Sequence, residues 1–279
     1  MKQTTDEVEI RLLTTISELE QARKLEGIVW AESETIPVHQ TLTASKNGGF
    51  LLGAFLKGQL IGFQYSFPGY DGKSIYLCSH NLAVDPHFRR YGVGEKLKLA
   101  QWEQGKKMGY SFISWTYDPL ESVNGYLNIG KLGADCSTYI ENCYGEMEDH
   151  LNDGLPSDRF LVKWTNLKNK SSLKDQITKR QREEVNIVTW KTREDGIPVI
   201  EELAQLQEGY QGDIAVAIPA HFQRVKELAP AIALDWRLRT RELFTHLFNI
   251  GWEVTDFVRN QSFDAPVHFY ILKRIEGTT

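Results

Sequence analysis

The chain has 279 residues, a formal net charge of −5 and 41% hydrophobic residues, which predicts one large or two modest domains with a buried core. The negative charge excludes a general electrostatic attraction to nucleic acid, and no apolar run of membrane-spanning length occurs. The first residues hold no apolar signal-peptide core, and three cysteines without metal-ligand spacing predict a reduced, cytoplasmic protein that holds no metal.

Strands and helices are predicted to alternate through the first 165 residues. The predicted strands are Val8–Leu13, Phe50–Leu56, Leu60–Phe67, Ser74–Val84, Tyr110–Thr116, Ala134–Asn142 and Arg159–Thr165. Apolar residues at helical spacing predict helices over Ile16–Ala31 and from Gly92 to Met108. A third helix is predicted to begin with a capping box over Asp118–Glu121 and to end near Gly133. This order predicts an α/β fold in layers, with a mixed sheet.

A polar, basic stretch separates this part from the rest of the chain. Lys168–Arg182 contains six Lys or Arg residues and no interleaved aromatic residue. This pattern favours a solvated linker or an exposed helix over a nucleic-acid surface. We therefore predict a first domain over residues 1–166, a linker over 167–185 and a smaller α/β domain over 186–279.

The predicted second domain contains a weak internal repeat. Val216–Gln223 resembles the segment from Val84 to Arg89 with one residue inserted, and helix and strand patterns follow in both places. Helix Trp236–Ile250 and strands Glu253–Val258 and Val267–Lys273 complete the pattern. We interpret this half as a degenerate half-copy of the first domain that lacks its Gly-x-Gly loop. Chance similarity is the alternative.

The segment around Gly92 carries the clearest chemical signal. A helix that begins there exposes backbone N–H groups without intrahelical acceptors and the positive end of the helix dipole. Gly92 and Gly94 allow an anion to approach the backbone closely, and Arg89 and Arg90 supply forked donors for phosphate oxygens. The segment has neither the Gly-Lys-Ser/Thr of a Walker loop nor a third glycine for the dinucleotide motif. It predicts a diphosphate site; an ordinary helix start is the alternative.

The same residues resemble a known family. Arg89–Gly94 matches the Arg/Gln-x-x-Gly-x-Gly/Ala motif of the GNAT superfamily of acyl-CoA-dependent N-acyltransferases. Leu82–Pro86 resembles the end of that family's fourth strand, and Lys131–Ala134 resembles the end of its later helix. The resemblance covers residues 8–165 and implies the GNAT acyltransferase fold. Trp115–Ser122 further resembles a two-part branch of predicted acyltransferases.

The resemblance implies where acetyl-CoA or another acyl-CoA would bind. The pyrophosphate would lie on the amides that open the helix, and the pantetheine arm would run along the preceding strand. The acceptor would enter near Trp30–His39. The co-substrate residues implied in this way are Leu82, Ala83, Val84, Arg89, Arg90, Tyr91, Gly92, Val93, Gly94, Glu95 and Asn124.

The catalytic groups of the family are only partly present. Its members often carry a Glu on the fourth strand as the base, but Ser74–Val84 contains no acid. His80 titrates nearest to neutrality there and is predicted to be the base, with a structural histidine as the alternative. Alternation along the strand predicts that Ser79 and Asn81 share the face opposite to His80.

The proton donor of the family also differs here. Many members have a tyrosine two residues before the Lys of the later helix, and Ile129 occupies that position. Tyr126 lies one turn earlier on nearly the same face and is predicted to protonate the leaving thiolate. A packed aromatic ring is the alternative.

The leading hypothesis is an acyl-CoA-dependent N-acyltransferase that transfers acetyl or succinyl to a small amine or amino acid. A non-catalytic acyl-CoA-binding or regulatory module is the alternative, because the usual Glu and Tyr are missing. Neither a nucleic-acid nor a membrane partner is expected, and a homodimer is possible in either case.

Overall fold

The structure is a computed structural model of the whole chain, and its description covers most residues. The described residues are 7–89, 91–145, 147, 154–166, 185–207, 209–260 and 265–275. The chain forms two compact units, the first ending at Trp115 and the second beginning at Thr116. This division falls earlier in the chain than the predicted one. Residues 167–184 of the predicted linker lie outside the described part, and the division into 1–166 and 186–279 stays a prediction.

The order of elements confirms the predicted mixed α/β fold. Strands β1–β13 are Glu9–Leu12, Phe50–Leu56, Gln59–Tyr70, Ile75–Val84, Ile113–Tyr117, Asp135–Ile140, Arg159–Trp164, Val185–Asn186, Val188–Thr192, Pro198–Leu203, Ile214–Pro219, Trp252–Val258 and Val267–Arg274. Helices α1–α6 are Ile16–Val29, Val38–Lys46, Val93–Lys107, Ser122–Gly125, Phe222–Leu228 and Pro230–Asn249. A π-helical segment, Tyr126–Lys131, directly follows α4. No helix in the described part of the chain is long and apolar enough to cross a membrane.

The first unit is a sheet in the order β1-β2-β3-β4-β5 with helices on both faces. Strands β1 to β4 are antiparallel neighbours, and β5 begins parallel to β4. On one face, α1 buries Leu19 and Leu25 against Phe63 and Tyr65 of β3. On the other face α3 packs so closely on β3 that a Cβ at Gly62 would come within 3.3 Å of the Val93 and Leu97 side chains. The sheet is therefore buried between two helical layers.

The second unit is built around the strand order β7-β6-β12-β13-β11-β8, beside a separate β9–β10 hairpin. Its core contains an aromatic cluster in which the Phe160 ring lies 4.8 Å from Phe244 and 5.4 Å from Tyr270, centroid to centroid. Helix α6 and strands β12 and β13 follow the predicted order. Their descent from a half-copy of the first domain remains a proposal.

One local prediction was wrong, and several elements had no prediction. Asp118 does not cap α4, which begins at Ser122 without a side-chain cap. The Asp118 carboxylate instead accepts a hydrogen bond from the Leu120 N–H at 2.8 Å and pairs with buried Arg237, which takes precedence over a solvent-exposed cap. Helices α2 and α5 and strands β8 to β11 had no prediction.

Candidate functional site

A β-bulge at His80 interrupts strand β4 in the middle of the first unit. Asn81 pairs with Tyr65 of β3 and Ser79 pairs with Ser66, so His80 has no partner in the ladder. A bulge adds one residue and shifts the alternation of side chains. The prediction that Ser79 and Asn81 share a face is therefore wrong. The Ser79 side chain bonds to α3 and that of Asn81 bonds to α1, on opposite faces of the sheet.

The His80 ring lies among aromatic side chains at this bulge. Its centroid is 6.0 Å from that of Tyr65 and 5.6 Å from that of Phe67. The residue keeps solvent access, but the surrounding rings desolvate the imidazole and lower the pKa of His80 from its ordinary value of 6.5. The neutral imidazole therefore predominates at neutral pH. A neutral, accessible imidazole can accept a proton.

A buried carboxylate lies beside His80 on the same face. Glu26 of α1 is only 3% exposed and accepts hydrogen bonds from the Asn81 side chain and, at 2.9 Å, from the Ile36 N–H. Burial raises the pKa of Glu26, and these two hydrogen bonds, together with the charge of Arg23, partly offset the effect. The side chain lines a small cleft together with Ile36 and Tyr65. The carboxylate thus ties α1, the segment before α2 and β4 together at the bulge.

The opposite face of the bulge is held by a buried lysine. Lys98 of α3 is 2% exposed, donates to the Ser79 hydroxyl at 2.8 Å and lies 3.4 Å from the centroid of the Trp115 ring. Burial lowers the pKa of Lys98 well below its ordinary value, although the Cys78 thiol opposes the shift. Lys98 therefore anchors the residue that precedes His80 and fixes the position of the bulge.

The predicted anion site lies at the start of α3, which follows a glycine. Gly92 precedes the helix in a left-handed conformation, with φ 72°, and provides no side-chain cap for the first N–H groups. A Cβ at Gly92 would meet no atom within 4 Å, so the approach to the helix start is open. Tyr91 and Arg89 are exposed beside it. Arg90 lies outside the described residues.

Strands β4 and β5 are joined only at one end. Their ladder consists of two pairs, Leu77 with Ile113 and Cys78 with Ser114. Within the described residues, the β4 segment Ser79–Val84 pairs with β3 alone. The edge of this segment that faces away from β3 extends from the bulge toward the start of α3. An extended ligand chain can pair with such an edge.

A known protein family matches the segment that contains these elements. The model of the acetyltransferase (GNAT) family matches residues 15–126. The chain carries a GNAT-family domain. The resemblance found in its sequence is thereby confirmed, whereas no curated protein sequence matches the chain.

Solved acetyltransferase structures are similar to this part of the chain. The ribosomal-protein-S18-alanine N-acetyltransferase of Escherichia coli has 16% identity, covers 58% of this chain and 97% of its own, and gives a TM-score of 0.46. An IAA acetyltransferase of Bacillus cereus ATCC 14579 has 20% identity, 57% and 99% coverage, and a TM-score of 0.45. An aminoglycoside acetyltransferase from an uncultured soil metagenomic sample, in complex with sisomicin, has 21% identity, 43% and 82% coverage, and a TM-score of 0.37.

The predicted site residues of the GNAT domain fall into two groups. His80, the Leu82–Val84 edge and the helix start from Tyr91 to Glu95 lie in the first unit, on or next to one sheet edge. Tyr126 and Asn124 lie in the second unit. There the Arg259 guanidinium lies 3.6 Å from the centroid of the Tyr126 ring. Their assigned roles stay proposals.

Sequence reasoning missed Glu26 and Lys98 in the GNAT domain. Both belong to amphipathic helices, where a single charged residue on an apolar face is easily assigned to the solvent side. A signal was present at Glu26, which follows the apolar Leu25 and lies on the helix face of Leu19 and Ala22. Helical spacing alone places its side chain toward the core.

Proposed function

We propose that this protein transfers an acetyl or succinyl group from its CoA thioester to the amine of a small acceptor. The observation that carries the proposal is the unpaired edge of β4, which runs from the His80 bulge to the glycine-opened start of α3. The GNAT-family match to this segment supports the same conclusion.

The co-substrate would be held by the backbone more than by side chains. The diphosphate would accept hydrogen bonds from the N–H groups of Val93, Gly94 and Glu95, where the helix dipole favours negative charge. Arg89 and Arg90 would add charge at the entrance. The pantetheine amides would pair with the edge of Leu82–Val84.

The reaction requires two proton transfers, one away from the acceptor nitrogen and one to the CoA thiolate. The acceptor nitrogen attacks the thioester carbonyl, a C–N bond forms and the C–S bond breaks. We assign to His80 the removal of the proton from the attacking nitrogen, because its imidazole is neutral and accessible. We assign to Tyr126 the delivery of a proton to the departing CoA thiolate, which leaves the amide and free CoA as products.

Binding of the co-substrate is tested by removing the helix-start contacts. In the double variant Gly92→Asp plus Arg89→Ala, calorimetric affinity for CoA should fall about 100-fold, because a carboxylate replaces the open approach and one cation is lost. Gly72→Asp plus Lys73→Ala is the matched control. Gly72 also has a positive φ, of 90°, and open space around its Cα, and the pair makes the same charge change in an exposed turn. Equal CoA affinity in both variants would contradict the proposal.

A second candidate function is an acyl-CoA-binding module without catalysis. It is favoured by the absence of an acid on β4 and by Ile129 at the position of the family's tyrosine. A screen for thiol release from acetyl-CoA and succinyl-CoA with amines and amino acids separates the two. CoA binding without thiol release from any acceptor would favour the binding module.

A further inference from the structure

We infer that Glu26 binds a positively charged group of the acceptor other than the amine that is acylated. This inference rests on the proposed function and names its class of substrate: a diamine or a longer polyamine. It starts from the electrostatic surroundings of the Glu26 carboxylate at the bulge of β4. A carboxylate is almost fully buried there beside the proposed site of the reaction, and no described cation forms an ion pair with it.

The partners of Glu26 are uncharged. Its oxygens accept hydrogen bonds from the Asn81 amide and from the Ile36 N–H. Among the described residues, Glu26 forms no ion pair within 4.0 Å, although Arg23 stands one helical turn earlier. The Arg23 guanidinium is shared between Glu20 at 3.9 Å and Glu32 at 3.8 Å, and donates to the Thr35 hydroxyl at 3.2 Å.

Buried carboxylates are normally paired with a cation or a metal ion, because an uncompensated charge is costly away from water. The Glu26 side chain also lines a cleft whose other walls include the apolar residues Ile36, Leu51 and Phe63, and Arg23 lies in the same lining with its guanidinium engaged as described above. A ligand with a charged end and a methylene chain matches such a wall. The ammonium of the ligand would supply a direct ion-pair partner, whereas the Arg23 charge acts on Glu26 only from beyond ion-pair distance.

The chemistry of acyl transfer determines which ammonium this is. A nitrogen must lose its proton and expose its lone pair before it attacks the thioester. An amine held as ammonium on a carboxylate cannot attack, so the group on Glu26 is a second, non-reacting cation. Asn81, which bonds to Glu26, directly follows His80, and the Tyr65 ring borders both the cleft and the His80 ring. One acceptor molecule can therefore reach both groups.

The inference is tested with three families of acceptors that differ only at one end. The α,ω-diamines of three to six carbons are compared with monoamines and ω-amino acids of the same length. Binding to the CoA-saturated protein is measured by calorimetry, and transfer from acetyl-CoA is measured by thiol release. We expect at least one diamine to bind and to exceed its monoamine about 10-fold in kcat/KM, with the ω-amino acid the poorest of the three. If no diamine binds, or if monoamines react equally well, the inference is wrong.

A substitution then assigns the preference to Glu26. Glu26→Gln should raise the KM of the best diamine about 10-fold with less than a threefold change in kcat, and should remove its advantage over the monoamine. Glu20→Gln makes the same charge change on the exposed side of α1 and should leave both parameters unchanged. A loss of kcat for all acceptors in Glu26→Gln would instead make Glu26 a base or a structural residue and overturn the inference. The acceptor series on the unaltered protein decides the question even if the variant does not fold.

Failure of the inference is distinguishable from failure of the proposed function. CoA affinity and thiol release with monoamines do not depend on Glu26. A protein that binds CoA and acylates monoamines without a preference for diamines retains the proposed function and loses only the inference. A protein that does not bind CoA loses both.

Discussion

Buried carboxylates of the two units differ in how their charge is compensated. In the second unit, Asp118 pairs with Arg237, and Asp158 receives two hydrogen bonds of 2.8 Å from Arg241. In the first unit, Glu26 is buried to a similar degree but receives only neutral donors. The comparison separates charges that complete a fold from a charge that is available to a ligand. It also predicts that replacing the carboxylate by an amide changes the unfolding free energy by different amounts in the two units.

The largest expected effect is the difference between two amide substitutions. Asp118→Asn leaves the 1%-exposed Arg237 guanidinium without its counter-charge and should cost about 3–5 kcal/mol of unfolding free energy. Glu26→Gln removes a buried charge that has no ion-pair partner among the described residues, and the Asn81 amide can turn to match the new amide. Its cost should stay below about 1 kcal/mol. Urea unfolding at neutral pH measures both.

A double variant sharpens this prediction. Replacing both partners, with Asp118→Leu and Arg237→Leu, should recover much of the stability lost in Asp118→Asn, because an apolar pair of similar volume needs no counter-charge. Equal destabilisation by Asp118→Asn and Glu26→Gln would remove the distinction between the two carboxylates.

The second prediction concerns the role of His80 beside Glu26. His80→Ala should lower kcat about 100-fold if it removes the general base, while CoA affinity changes little. Burial lowers the pKa of His80, so the imidazole stays neutral below pH 6.5 and is lost as a base only when the pH falls further. The acid limb of the wild-type kcat profile should therefore lie below pH 6.5 and disappear in the variant.

His246→Ala provides the control, because this exposed histidine lies in α6 of the second unit. It should retain the wild-type profile. An acid limb above pH 6.5, or a wild-type rate in His80→Ala, would exclude His80 as the base.

The smallest expected effect concerns a partly buried carboxylate at the start of α1. Glu18 accepts hydrogen bonds from the N–H groups of Thr14 and Thr15 and pairs with Arg11, and these contacts lower its pKa to about 2. Glu18→Gln should cost about 1 kcal/mol at pH 7. Because the folded pKa lies below the ordinary 4.5, this contribution is present above pH 4.5 and is lost as the pH falls toward 2.

Unfolding of Glu18→Gln and wild type at pH 7 and pH 3 measures this difference. Glu20→Gln, on the same helix, serves as the control for the loss of a charge. A constant difference between the two pH values would show that the Glu18 pKa is not lowered.

The helices and strands of the GNAT domain were predictable because the spacing of apolar residues along the sequence indicates which face of an element is buried. Strands β2, β3 and β4 and helices α1 and α3 lie within a few residues of their predicted bounds. The glycine at the start of α3 was equally readable, since its left-handed conformation is one that glycine favours.

Contacts between distant residues were not predictable from local patterns. Thr15–Glu18 and Asp118–Glu121 both fit the pattern of a capping box, but only the first forms one. The difference is Arg237, which is 119 positions away from Asp118. The bulge at His80 and the burial of Glu26 depend likewise on pairing between elements, which no short motif encodes. This is why the sequence did not predict the roles of Glu26 and Lys98 in the site.

A crystal structure of the protein with bound CoA tests the central claim most directly. The account predicts that the diphosphate accepts hydrogen bonds from the N–H groups of Val93, Gly94 and Glu95 and that the pantetheine pairs with the free edge of β4 beyond His80. A diphosphate bound elsewhere, or a helix start left empty at saturating CoA, would contradict it.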